Sequence, residues 1–80
     1  MFFEDTSGEI ELLEIPVQEF MIGKTLAELQ LPDKFKVVIS GIIKDSKLNM
    51  PNPQEKLQEG ERLLVIGSSE DVEKMIEESK

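Results

Sequence analysis

The chain contains no cysteine and no histidine. Without cysteine there is no disulfide to staple a small fold and no thiolate to hold a metal. Without histidine the commonest general base and the commonest metal ligand are both missing. Tryptophan and tyrosine are absent too, so the aromatic complement is four phenylalanines. Positive charge is scarce: 9 Lys and Arg stand against 17 Asp and Glu, a formal net charge of −8. Nucleic-acid binders need a basic face to displace counterions, and anionic membrane surfaces attract basic segments. Neither partner is expected here. No stretch approaches the roughly 20 consecutive apolar residues that span a bilayer, so direct membrane insertion is not expected either. Met1-Phe2-Phe3 runs at once into Glu4 and Asp5, the reverse of the basic start of a signal peptide. A cytoplasmic location is the expectation.

What is present suits one small domain. Eighty residues with 39% hydrophobic content lie near the lower end of what a single core stabilises, and such chains often gain stability by dimerising. The acid is uneven. Residues 1–19 hold six acids and no base, whereas residues 20–62 hold six acids and seven bases. A small anion would be met in that middle segment; solvated acidic surface is the plainer reading of the ends.

Residues 1–8 read as a flexible N-terminal arm and residues 9–80 as the folded domain. From Glu9 to Val17 the apolar residues alternate, with a change of phase at Leu12-Leu13 that predicts a bulge or twist. Pro16 predicts an edge strand. Thr25 followed by Glu28 is a capping box opening a short helix, with Pro32 as its stop. Lys36 to Lys44 is a strand apolar on both sides, hence one buried on both sides. The domain's helices supply cover for one side, and a second chain for the other. Gly41 within it predicts a bulge or a close approach.

Asp45-Ser46 predicts a two-residue hairpin turn into a short strand, Lys47 to Met50, that stops at Pro51-Asn52-Pro53. Glu59-Gly60-Glu61 predicts a turn with glycine at positive φ, and Arg62 to Ile66 a second apolar strand closed by Gly67. Ser68 caps a last helix whose Val72, Met75 and Ile76 form one apolar stripe. The fold class is therefore α+β: a small β-α-β-β-β-α domain with a mostly antiparallel sheet and two short helices.

This ordered set of features resembles the TrkA C-terminal (RCK C-terminal) domain family. Pro16-Val17 followed by Ile22-Gly23-Lys24-Thr25-Leu26-Ala27-Glu28-Leu29 is similar to its opening. Ile42-Ile43-Lys44-Asp45 and Leu48-Asn49-Met50-Pro51 match its middle, and Leu57 to Gly67 with the closing helix match its end. The resemblance implies a dimeric regulatory domain of a potassium channel or uptake system. Such a domain works on a membrane-embedded subunit, usually through a Rossmann-like nucleotide-binding domain, and so lies peripheral to the inner membrane. In some members cyclic di-AMP binds at the dimer interface. Carried over by position, that site consists of Ile39, Ile42, Ile43, Lys44, Met50 and Pro51. Two positions depart from the family pattern. Lys44 stands where arginine is frequent, losing the bidentate fork for phosphate, and Met50 stands where cyclic di-AMP binders tend to place asparagine. The alternative is a ligand-free dimerisation or adaptor domain on another type of transporter.

Other chemistry is weakly supported. Gly23-Lys24-Thr25 is like the tail of a phosphate loop, but the earlier glycine is replaced by Gln18 and the capping box accounts for the residues. Glu9/Glu11 and Glu77/Glu78 have no apolar surroundings to shift their titration. Glu59, Glu61, Glu70 and Asp71 lack the spacing of a calcium loop. Neither a metal site nor a catalytic residue is expected, and the chain is read as a non-enzyme.

Overall fold

The structure is a computed structural model and describes residues 10–78. The expected arm at residues 1–8 and the start of the first strand at Glu9 lie outside the described residues. Four strands form one antiparallel sheet: β1 (Glu11–Pro16), β2 (Val38–Lys44), β3 (Lys47–Asn49) and β4 (Arg62–Gly67). Their order across the sheet is β1-β4-β2-β3. A 3-10 turn (Glu19–Met21) and two helices, α1 (Leu26–Leu29) and α2 (Leu31–Phe35), connect β1 to β2. The chain closes on α3 (Ser69–Glu78).

The strand signals translate directly. Pro16, which has no N–H to give a neighbour, sits on edge strand β1 opposite Arg62. Asp45 and Ser46 have φ of 50° and 64°, the positive pair that a type I′ hairpin needs to match strand twist. Gly60 is also at positive φ, 93°. The expected bulge in β1 is not there, because Glu11↔Gly67 to Pro16↔Arg62 pair in unbroken register. The apolar residues change phase because Leu12 faces outward and Leu13 inward. The other expected bulge, at Gly41, is present: the register of β2 shifts between Ile39↔Val65 and Gly41↔Leu64. Ser40 is the extra residue, and its hydroxyl donates to the Leu64 carbonyl at 3.2 Å. Because of it Ile39 and Ile42, three apart, both belong with the buried cluster.

One expected helix is in fact two. The capping box forms as read: the Thr25 hydroxyl accepts the Glu28 N–H (3.1 Å) and Glu28 Oε1 accepts the Thr25 N–H (2.9 Å). But α1 ends at Gln30, whose φ of 51° is left-handed. Pro32 does not stop that helix; it lies in the first turn of α2, where a missing N–H costs nothing. Lys36, at φ 60°, ends α2 in the same way. The chain thus turns twice within a dozen residues, laying Leu29 and Leu31 against the sheet. At α3 the Ser68 hydroxyl accepts the Asp71 N–H at 3.0 Å, as the cap reading requires.

All the helices cover one face of the sheet. Between them and the strands Met21, Leu31, Val37, Leu57, Leu63, Val65 and Met75 are fully buried, each stabilising the fold by about 1.5–3 kcal/mol relative to exposure. Val72 and Met75 hold α3 down, as the stripe predicts. Among the described residues the opposite face has no such cover. Leu12, Val38, Leu48 and Ile66 point from it into solvent, as does neighbouring Met50, with exposure from 37% at Ile66 to 72% at Met50.

Candidate regulatory site

The six candidate residues all lie along β2 and the segment just after β3, but they divide among four surroundings. Ile42 is in the core. Ile39 and Pro51 line an apolar slot of about 290 Å³ with Leu26, Ala27, Leu31, Pro32, Val38 and Pro53. The Ala27 N–H donates to the Pro53 carbonyl at 3.1 Å, which ties the proline segment to α1 and fixes the width of the slot. Ile43 is half-buried and pairs with Leu48 on the uncovered face. Met50 is the most exposed large apolar residue of the region.

Lys44 has a partner that the sequence gave no hint of. Its ammonium donates to Glu55 Oε2 at 2.5 Å. That hydrogen bond is the main reason the Lys44 pKa is raised, with the charges of Glu55 and Glu61 adding to it. Lys44 also borders a cleft of about 280 Å³ whose other walls are Asp45, Gln58, Glu59, Gly60 and Glu61. Four carboxylates around one ammonium, those of Glu55, Asp45, Glu59 and Glu61, disfavour a phosphate unless Glu55 swings away and a second positive charge arrives. Glu55 was not legible because its contact spans eleven positions across the proline loop. The slot was half-legible: Pro51 and Ile39 were named, while Leu26, Ala27 and Pro53 enter it through the α1 turn. Among the described residues no three carboxylates converge as a metal-holding group, and no helix is long and apolar enough to cross a membrane.

A four-stranded antiparallel sheet with helices on one face and, among the described residues, an apolar second face left bare defines a small α+β domain. The chain belongs to the TrkA-C domain family, which matches it over residues 11–80. It is 33% identical over 70 residues to the Trk system potassium uptake protein TrkA homolog of Archaeoglobus fulgidus, an alignment covering 85% of this chain. The chain spans 16% of that relative's length. Among solved structures it is similar to the RCK C domain of the potassium transport protein KtrA in complex with cyclic di-AMP. The TM-score there is 0.80 at 23% identity, covering 86% of this chain and 82% of that one. It is also similar to the GsuK channel, with a TM-score of 0.73 at 32% identity over 91% of this chain and 14% of that one. The RCK_C domain dimer of S. agalactiae BusR with cyclic di-AMP shares the fold, with a TM-score of 0.71 at 23% identity, covering 82% of this chain and 85% of that one. BusR is also known in complex with promoter DNA; there the match covers 94% of this chain and 37% of the BusR chain, at a TM-score of 0.71 and 20% identity.

Proposed function

We propose that this domain is a ligand-sensing regulatory module of a potassium transport or channel system, acting as a homodimer on the cytoplasmic side of a membrane partner. The observation that carries the reading is the uncovered apolar face running from Leu12 across Ile66 and Val38 to Leu48 and Met50. On a chain this small such a face marks an interaction surface. A second copy is the fitting occupant, because the face adjoins the slot and Ile43 and because a related RCK_C domain is a dimer. Likeness at 33% and 32% identity to a potassium uptake protein and to the GsuK channel supports the setting. A Rossmann-like domain between this module and the membrane subunit is part of the same proposal. The domain carries no catalytic role in this reading.

The proposed effector is cyclic di-AMP, seated at the dimer interface on Ile39, Ile43, Lys44, Met50 and Pro51, with Ile42 backing them from the core. Its apolar base suits the slot and its two phosphates suit two symmetry-related Lys44 ammoniums. Effector binding would bias the dimer between two arrangements and so bias the attached gate. The strongly negative chain speaks against DNA as a direct partner of this module. Calorimetry with cyclic di-AMP tests the ligand. About one molecule per dimer is expected, weakened by Lys44→Ala roughly tenfold, the loss of one charge-assisted contact per subunit. No heat at high ligand concentration removes cyclic di-AMP from the proposal. Light scattering tests the dimer independently, and a monomer at high micromolar concentration refutes it.

The Lys44–Glu55 pair favours a second reading. If Glu55 is a permanent partner, Lys44 is not available to a phosphate and the domain is a dimerisation or adaptor element without a small ligand. A dimer by light scattering together with a silent titration would select it.

A further inference from the structure

A third concavity, sharing only Leu31 with the slot and apart from the bare sheet face, lies between the 3-10 turn, α1 and α2. It encloses about 440 Å³ and is lined by Phe20, Lys24, Glu28, Leu29, Leu31, Lys34 and Phe35. Its floor is Leu29 and Leu31, both buried, and its walls are the half-buried Phe20 and Phe35. Phe20 and Phe35 are the only aromatic residues among the described residues, and the fold brings both to this groove. At the rim stand Lys24 and Lys34. Among the described residues the ion pairs are Lys44–Glu55 and Arg62–Glu14, so neither rim ammonium is neutralised by a direct partner.

The one carboxylate in the lining is committed elsewhere. Glu28 Oε1 accepts the Thr25 N–H of the capping box, and that bond is the first reason its pKa is lowered, with Lys24 and Lys56 contributing through their charge. Glu19 and Asp33 belong to the same elements but do not line the groove. Lys24 and Lys34 thus stand at the rim beside a single, already bound carboxylate, in a chain whose formal charge is −8. A mostly apolar concavity of several hundred Å³ with a few converging polar groups is the usual form of a small-molecule site.

We propose that this groove binds a small amphipathic organic anion. An aromatic or short aliphatic body lies on Leu29 and Leu31 between Phe20 and Phe35, and a single carboxylate, sulfonate or phosphate is held by the Lys24 and Lys34 ammoniums. The site is separate from the cyclic di-AMP proposal and stands if that one fails. Its test uses the 80-residue chain and two fluorescent probes of one shape: 1-anilinonaphthalene-8-sulfonate and the neutral N-phenyl-1-naphthylamine. Lys24→Gln/Lys34→Gln, both at exposed positions, should weaken the sulfonate about tenfold, as two solvent-exposed charge contacts together allow, and leave the neutral probe unchanged. Phe35→Leu should weaken both probes. Amide shifts on adding the sulfonate should map to the 3-10 turn, α1 and α2. Unchanged sulfonate affinity in the lysine double variant overturns the proposal. So do equal losses for the two probes in that variant, or amide shifts confined to Leu12, Val38 and Ile66 on the sheet.

Discussion

On one face of the sheet Ile15, Ile42, Leu63 and Val65 are sealed in a cluster with Leu31, Val72 and Met75; on the other, Leu12, Val38, Leu48 and Ile66 meet solvent. The residue types are nearly the same. What differs is the supply of cover, since every helix among the described residues is spent on the first face. A strand that is apolar on both sides encodes two burials, and here the fold completes only one. The difference teaches that pattern alone tells which sides want covering, while the number of helices tells how many the chain can cover by itself.

The comparison breaks most visibly under truncation. Leu63→Ala, on the helix-covered face, should destabilise the domain by about 2–5 kcal/mol in urea. Ile66→Ala, three residues on, should cost under about 1 kcal/mol at low protein concentration, where its side chain is already part-exposed. A loss at Ile66 as large as at Leu63 would mean that the bare face is covered in the species measured, and a cost that grows with protein concentration would locate the dimer there.

Two glycines give the same contrast at smaller scale. A Cβ at Gly67 would meet Val37 Cγ1 at 3.1 Å, within the closed core, whereas one at Gly41 would meet Leu48 Cδ1 at 2.7 Å. Val37 is fully buried and β-branched and has nowhere to go; Leu48 ends in solvent and rotates aside. Gly67→Ala should therefore cost about 1–2 kcal/mol and Gly41→Ala under about 0.5 kcal/mol, despite the shorter approach at Gly41. Thermal melts of the pair decide it, and the reverse ranking would sink the account of the two faces. At the hairpin rim Ser46→Gly relieves a residue at φ 64° and should stabilise by about 0.5–1 kcal/mol.

The smallest effects belong to exposed charges. The Thr25 N–H holds the Glu28 carboxyl below its ordinary value near 4.5. Its contribution to stability is present above that value and is lost as acid takes the pH down through the lowered one. Lys44, raised above its ordinary 10.5 chiefly by its bond to Glu55, contributes below that value and loses the contribution as alkali takes the pH above it. Stability–pH curves of Glu28→Gln and Glu55→Gln should converge on the parent at the acid end for the first and the alkaline end for the second.

Much of this architecture was legible because it is written locally. The capping box at Thr25, the Asp45-Ser46 turn, the Gly60 turn and the α3 stripe each depend on residues within a few positions of one another. Gly41 marked the bulge in β2, but the one expected at Leu12-Leu13 is absent, because a change of phase has two causes, an inserted residue or a strand with apolar residues on both faces, and β1 has the second. The break at Gln30 was illegible since no glycine marks its left-handed backbone, so Pro32 was given the role of a stop when it opens the next turn. The candidate site was legible as a stretch of chain and not as an arrangement. Ile39 and Pro51 meet across the slot, but the Glu55 carboxylate on Lys44 and the Phe20–Phe35 groove arise only once distant loops fold back.

The two outer strands set how far such molecules can accumulate. β1 carries Glu11, Glu14 and Pro16 along its free side of the sheet, and β3 is three residues long and begins with Lys47. Charge, proline and brevity make poor templates for adding another strand. Copies therefore have no lateral route to a ribbon, and the adhesive surface is a face. A face that pairs with its own likeness about a two-fold axis is used up in a single encounter, so in the proposed homodimer the greasy side of this sheet would close a finite pair and start no fibre.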